Sequence, residues 1–188
     1  MEDDPRIVEL RSLGATIGTS VYFGPSVYIE KDFAELLTIG DGVVLAHGTT
    51  VLLHDSSLNN VTGFPLKFGT VEIGANTYVG ANTTIMCGVR IGRDALVGAC
   101  SLVSRDLPDG CVAFGQPARP VRTVAETERR QRAAAAADPD VVLVEAEPWR
   151  ERSEASYGDF NDRVHRALAA FLADRGRPPH DEQTRSDP

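Results

Sequence analysis

Through the first two thirds of the chain an aliphatic or aromatic residue returns every six positions. The series runs Ile17, Phe23, Ile29; Ile39, Leu45, Val51; Ile73, Val79, Ile85; Ile91, Val97, Val103. A second column lies four residues after each of these: Val21, Val27, Phe33, Val43, Thr49, Asp55, Thr77, Thr83, Val89, Ala95, Ser101 and Leu107. All but Asp55 are apolar or small. The residue directly after each aliphatic is Gly or Ala at the first two places of every triplet, and never at the third, where Glu30, Leu52, Met86 and Ser104 stand. The repeating unit is therefore three hexapeptides, eighteen residues long. Three short strands joined at tight corners make one triangular coil, with glycine at corners that need positive φ or close backbone approach. One coil cannot bury its inward side chains, but a stack of coils buries a continuous column. At the usual strand spacing of about 4.8 Å, four coils make a rod roughly 19 Å long. The pattern predicts a mainly β domain of about four triangular coils.

Three departures break the register, each after the third hexapeptide of a coil. Four extra residues follow Phe33, sixteen follow the hexapeptide that ends near Asp55, and an irregular PDG follows Leu107. Stacking puts all three on one edge of the prism. The longest, residues 55–70, reads as a lid-like loop. His54 stands at its root, in the fourth position of its hexapeptide, a corner from which the ring is expected to project outward.

After Arg122 the hexads stop. The run TVAETERRQRAAAAA predicts a helix with Thr123 as a possible N-cap, ended by Asp138-Pro139-Asp140. VVLVEA (141–146) reads as one short strand. FNDRVHRALAAFLADRG predicts a second helix, with Phe160, Val164, Leu168, Phe171 and Leu172 on one face, Gly176 as C-cap and His165 off the stripe. The expected organisation is a β-prism over residues 1–122, a helical extension over 123–176 and a disordered tail over 177–188.

Composition narrows the chemistry. A net charge of −8 over 188 residues, with no long basic cluster, argues against nucleic acid as the main ligand. No apolar run is long enough for a membrane span, and MEDDPRIVEL lacks the apolar core of a signal peptide. Cys87, Cys100 and Cys111 are odd in number and show no C-x-x-C spacing, so reduced thiols in a cytoplasmic protein are expected.

Residues 13–122 resemble the hexapeptide-repeat acyltransferases. The segment VEIGANTYVGANTTIMCGVRIGRDALVGACSLVSRDLPDGCVAFGQPARPVR is similar to the C-terminal coils of galactoside-, maltose- and polysaccharide-type O-acetyltransferases, and LLHDSS resembles the histidine segment of acetyltransferases of bacterial surface-sugar pathways. The resemblance implies a left-handed parallel β-helix, a homotrimer with active sites in clefts between prisms, and acetyl-CoA as co-substrate without a metal. It implies a hydroxyl of a small sugar or sugar-like molecule as acceptor, and His54 as catalytic base. Backbone at Ala81 and Ala99 would meet the pantetheine arm. Ser104, Arg105, Pro117 and Arg119 take the places of the family's Thr-Lys and Pro-Ala-Lys motifs, and the two arginines, with Arg122, would neutralise nucleotide phosphates. Cys100 replaces the usual glycine beside that path.

Histidine is a base near neutral pH without large tuning, which suits thioester acyl transfer. Asp55 has two readings: it orients the imidazole or binds a substrate hydroxyl, or it caps the DSSLNN turn. Asn59 and Asn60 are candidate hydroxyl-binding groups or turn formers. His47 is a candidate contributor to a neighbouring subunit's cleft or a plain exterior residue. Competing functions are an amino-sugar N-acetyltransferase, a γ-carbonic anhydrase-like zinc enzyme, and a non-catalytic scaffold. The second needs three histidine ligands, and the coils hold only His47 and His54, on different faces.

Overall fold

A computed structural model of the chain describes residues 4–147 and 154–175, with side chains from 159 onward in the second stretch. The twelve hexapeptides form twelve strands, most of them two residues long. Coil 1 contains β1 (Thr16–Ile17), β2 (Tyr22–Phe23) and β3 (Tyr28–Ile29), and coil 2 contains β4 (Leu37–Ile39), β5 (Val44–Leu45) and β6 (Thr50–Val51). The insertion after coil 2 carries β7 (His54–Asp55), helix α2 (Ser57–Thr62) and β8 (Lys67–Phe68). Coil 3 contains β9 (Val71–Ile73), β10 (Tyr78–Val79) and β11 (Thr84–Ile85), and coil 4 contains β12 (Arg90–Ile91), β13 (Leu96–Val97) and β14 (Leu102–Val103). A hairpin of β15 (Cys111–Gly115) and β16 (Ala118–Thr123) follows.

The strands stack into three parallel sheets, the faces of a triangular prism. Sheet A has the order β1-β4-β9-β12, sheet B runs β2-β5-β10-β13-β15-β16, and sheet C runs β3-β6-β11-β14. The register aligns the hexads across the insertions: Ile17 beside Ile39, Leu45 beside Val79, Val51 beside Ile85. The first column and much of the second are buried, from Phe23 at one end to Val103 and Leu107 at the other. Each fully buried Val, Leu or Ile contributes about 1.5–3 kcal/mol relative to exposure. Strands this short do not hold without it.

Polar members of the second column are satisfied across the coils. The Thr77 hydroxyl donates to the Gly92 carbonyl at 2.7 Å and accepts from the Ala95 N–H at 3.2 Å. Thr83 donates to the Gly98 carbonyl at 3.1 Å, and the Ser101 hydroxyl donates to the same oxygen at 2.6 Å while accepting from Gly115 N–H at 3.2 Å. Buried hydroxyls with both roles filled cost little and fix the coil spacing.

The corners divide their demands between two positions. The glycine after each aliphatic is needed for close approach: a Cβ on Gly40 would lie 2.5 Å from the Ala75 nitrogen of the next coil. Positive φ falls instead on the fourth residue of the hexapeptide, at Ser20, Ser26, Asn76, Asn82, Asp94 and Cys100 among non-glycines.

A helix that the hydrophobic pattern does not announce, α1 (Pro5–Ser12), covers the first coil with Ile7 and Leu10 buried beneath it. Its arginines serve the open strand edge. Arg6 donates to the carbonyls of Phe23 (2.7 Å) and Gly24 (3.0 Å), and Arg11 to those of Ile17 (3.0 Å) and Gly18 (2.6 Å). At the other end β16 turns back antiparallel on β15.

The chain divides into two compact units between Arg129 and Arg130, inside helix α3 (Val124–Ala137). Thr123 caps α3 as its position suggested. Its hydroxyl accepts from Glu126 N–H at 3.2 Å, and the Glu126 carboxylate accepts from Thr123 N–H at 2.9 Å, a capping box. In the second unit residues 141–147 are not a strand, contrary to the reading of VVLVEA: they follow α3 as irregular chain with Val141, Val142 and Leu143 exposed. The second unit has no strand among its described residues for them to pair with. Helix α4 (Glu154–Asp174) forms as expected. Phe160, Val164, Phe171 and Leu172 are half-buried, while Leu168 and His165 are exposed. Gly176 and the tail 177–188 lie outside the described residues.

Replacing Gly40 with alanine should cost about 1–3 kcal/mol, because the added methyl has only rigid backbone to displace. Urea unfolding of the purified variant measures this as a lower midpoint at unchanged slope.

Candidate functional site

The site is built where coils 1 and 2 leave the prism at the corner between sheets C and A. After β3 the chain enters a 3-10 helix, Lys31–Leu36, which carries Phe33. After β6 it enters β7, where His54 is extended and pairs antiparallel with Phe68 of β8. His54 is thus not at a tight left-handed corner as most of its counterparts are, from Ser20 to Cys100. Its side chain retains 29% exposure. Leu53, just before it, points inward and is fully buried, so the inner column stays filled where Asp55 leaves it.

Glu30 organises this corner. Its carboxylate oxygen Oε2 accepts from Leu53 N–H at 2.6 Å, from His54 N–H at 3.0 Å and from His54 Nδ1 at 3.0 Å. The other oxygen is also 3.0 Å from Nδ1. An ionised carboxylate only accepts, so Nδ1 must carry the proton and the lone pair of a neutral ring resides on Nε2. Nε2 has no hydrogen-bond partner among the described residues. Glu30 keeps 11% exposure, which makes its three donors necessary compensation for burying charge.

Aromatic rings frame the imidazole. Phe33 meets it edge-on with centroids 5.1 Å apart, Phe68 stacks on it at 5.9 Å, and the two phenyl rings touch at 4.9 Å. His54 opens onto a cleft of about 350 Å³ lined by residues 27–33, with Tyr28, Glu30, Lys31 and Asp32 supplying polar groups.

Asp55 faces the lid. Its carboxylate accepts from Ser57 N–H at 2.9 Å, and hydrogen bonding from the Ser57 side chain, then from that N–H, holds its pKa below the ordinary aspartate value. It caps the turn into α2, and the partner of the imidazole is Glu30. The side-chain amide of Asn59 donates to Phe64 carbonyl at 2.7 Å and that of Asn60 to Ser56 carbonyl at 2.9 Å, so both brace the lid from within. The stretch 55–70 is not an unstructured loop but a short helix between two paired strands.

The other candidates lie on two edges. Pro25, His47, Ala81 and Ala99 follow one another up the corner between sheets B and C: Gly48 N–H donates to Pro25 carbonyl, Asn82 N–H to His47 carbonyl and Cys100 N–H to Ala81 carbonyl. Gln116 continues that edge by donating to the Cys100 carbonyl at 2.9 Å, with Pro117 next to it after a cis peptide bond. Ser104 and Arg105 stand instead on the His54 edge, two coils further along, as the pairing of β6, β11 and β14 requires. Arg119 is exposed on β16, donating to its own neighbour's carbonyl at 2.9 Å. His47 and His54 occupy different edges, so they do not converge on one ion.

Sequence reasoning missed Glu30, Phe68 and the role of Phe33. The one available signal was Glu30 itself, the sole charged residue in the place after the aliphatic where the other coils have Leu52, Met86 and Ser104.

Residues 70–105 match the family model described as bacterial transferase hexapeptide (six repeats). Bacillus subtilis YvoF, named only as a candidate acetyltransferase, is 34% identical over 61% of this chain and 63% of its own length. The galactoside O-acetyltransferase of Escherichia coli is 31% identical over 64% of this chain and 69% of its own. That of Lactococcus lactis is 30% identical over 59% and 56%. The chain thus spans 56% to 69% of these relatives' length. Among solved structures, a Vibrio cholerae hexapeptide-repeat acetyltransferase superposes with TM-score 0.53 at 23% identity, over 66% of this chain and 82% of that one. A galactoside acetyltransferase in complex with coenzyme A gives 0.51 at 24%, over 68% and 76%. Those structural likenesses carry the fold, a left-handed parallel β-helix. With the repeat, the prism and the Escherichia coli relative together, the chain belongs to the bacterial hexapeptide-repeat transferase family.

Proposed function

We propose that this chain is an acetyl-CoA-dependent O-acetyltransferase acting on a hydroxyl of a sugar or sugar-like small molecule, with His54 as general base. The observation that carries the reading is the Glu30–His54 pair. It fixes the imidazole with Nδ1 protonated and Nε2 unpartnered beside an open cleft. The naming of the curated relatives as acetyltransferases supports the acyl donor and the acceptor class.

In this mechanism Nε2 takes the acceptor's hydroxyl proton as the oxygen attacks the thioester carbonyl. The tetrahedral intermediate then collapses with loss of the CoA thiolate, which regains a proton from Nε2. Glu30 stabilises the imidazolium formed between the two steps and holds the ring against rotation, as a carboxylate does in other histidine-based sites. Arg105 and Arg119 are proposed to neutralise nucleotide phosphates, and Ala81 and Ala99 to lie along the pantetheine arm.

A homotrimer is part of the same proposal, and the placement of the candidate residues supports it. His54 and Arg105 lie on one edge, and Ala81, Ala99 and Pro117 on another, with sheet C between them. One prism does not bring those edges into a single cleft; an adjacent copy supplies the missing wall. Three such clefts would form around a threefold axis.

The test is CoA release from acetyl-CoA across a panel of glycosides, nucleotide sugars and hydroxylated antibiotics. His54→Ala should lower turnover by about 10²–10⁴ while leaving the fold and assembly intact. Full activity in a folded variant would remove His54 as base. Glu30→Gln should reduce kcat by about tenfold to a hundredfold with little change in KM for acetyl-CoA, by analogy with other carboxylates that orient a histidine. Arg105→Ala and Arg119→Ala should instead raise KM for acetyl-CoA and flatten its dependence on salt, because a screened charge pair is lost, read from initial rates at two ionic strengths.

A further inference from the structure

We infer that Phe33 and Phe68 are positioning residues for His54, and that Phe68 couples the base to the lid. The inference rests on His54 being the base. Glu30 fixes one ring nitrogen, but a hydrogen bond to Nδ1 alone still permits the ring to swing about that contact. The two phenyl rings close off that freedom: one meets the imidazole edge-on at 5.1 Å, the other stacks against it with an interplanar angle of 27°. They also brace each other at 4.9 Å and 76°. All three separations lie in the range where aromatic pairs attract.

The rings come from separate insertions. Phe33 belongs to the one that follows coil 1, and Phe68 to the return strand of the lid that follows coil 2. Phe68 is also the backbone partner of His54 in the two-residue ladder between β7 and β8. A ladder that short is weak by itself. Lifting β8 would remove the backbone partner of His54 and the stacked ring together. The base is therefore fully oriented only while the lid is seated, and the ring's rotational freedom is spent before the acceptor arrives. An open lid leaves acetyl-CoA facing a poorly aligned base.

Phe68→Ala, Phe68→Leu and Phe68→Tyr test this in the full-length protein, with the His54 ring followed by ¹⁵N NMR. Its signals are assigned by their loss in His54→Gln. At a pH where the ring is neutral, the wild type should show one tautomer with the proton on Nδ1. Phe68→Ala and Phe68→Leu should show averaged nitrogen shifts, and kcat should fall about tenfold to a hundredfold at unchanged KM for acetyl-CoA. Phe68→Tyr should restore both. Phe33→Leu should behave as Phe68→Leu does. Thermal melts identify any variant that fails to fold, and Phe68→Leu decides the matter if Phe68→Ala does so. A single Nδ1–H tautomer and wild-type kcat in folded Phe68→Leu would overturn the coupling. If His54→Ala keeps full turnover while the ring signals still respond to Phe68, the clamp exists but the base assignment fails, so the two failures are separable.

Discussion

Everything in this molecule depends on burying a column of side chains that no single coil can bury. Strands of two residues have almost no ladder to hold them, so the apolar contact between successive coils supplies their stability. That requirement sets the spacing of six, fills the inner positions with Ile, Val and Leu, and forces glycine where one corner presses on the next. It also decides where the chain is free to vary. An excursion that leaves and rejoins at the same corner does not disturb the stack, and the insertions after coils 1 and 2 both do so between sheets C and A.

The candidate site exploits that freedom. A glutamate on coil 1 reaches the backbone and imidazole of coil 2, so the rigid rise between coils sets their separation. The phenyl rings come from the excursions, which lack that rigidity. One nitrogen of the base is therefore referenced to the scaffold, while the plane of its ring is referenced to parts that move more easily. Division of this kind suits a catalyst that must hold a proton acceptor steady yet admit and release a substrate.

The prism was legible in the sequence because its code is local and periodic. Twelve hexapeptides, their triplet grouping and the shared edge of the first two insertions needed only counting. The PDG departure does not join that edge: Leu107 continues sheet A beside Ile91, so residues 108–110 turn at the corner between sheets A and B. Glu30 was not legible in the same way, because its partners Leu53 and His54 are more than twenty residues away and become neighbours only through stacking. Phe33 fits the inner column by position, and only the folded chain shows its ring turned toward His54. The interior of the lid was hidden for another reason: Asn59, Asn60 and Asp55 have the composition of a loop, yet their side chains bond the backbone of Phe64, Ser56 and Ser57 and so brace a helical turn. VVLVEA shows the reverse error, a strand-like run with no edge to join. Helix α1 offered only two buried residues, too few to mark a periodicity.

Helix α1 has a consequence beyond packing. A stack of identical coils has no intrinsic last member: its terminal strands present carbonyl and amide groups to any chain of similar pitch, and growth end to end is the natural hazard of such a lattice. Arg6 and Arg11 occupy the carbonyls of the first coil with guanidinium groups that cannot propagate a sheet, and β16 reverses direction at the opposite end of sheet B. The stack thereby keeps a fixed count of coils rather than seeding a fibre.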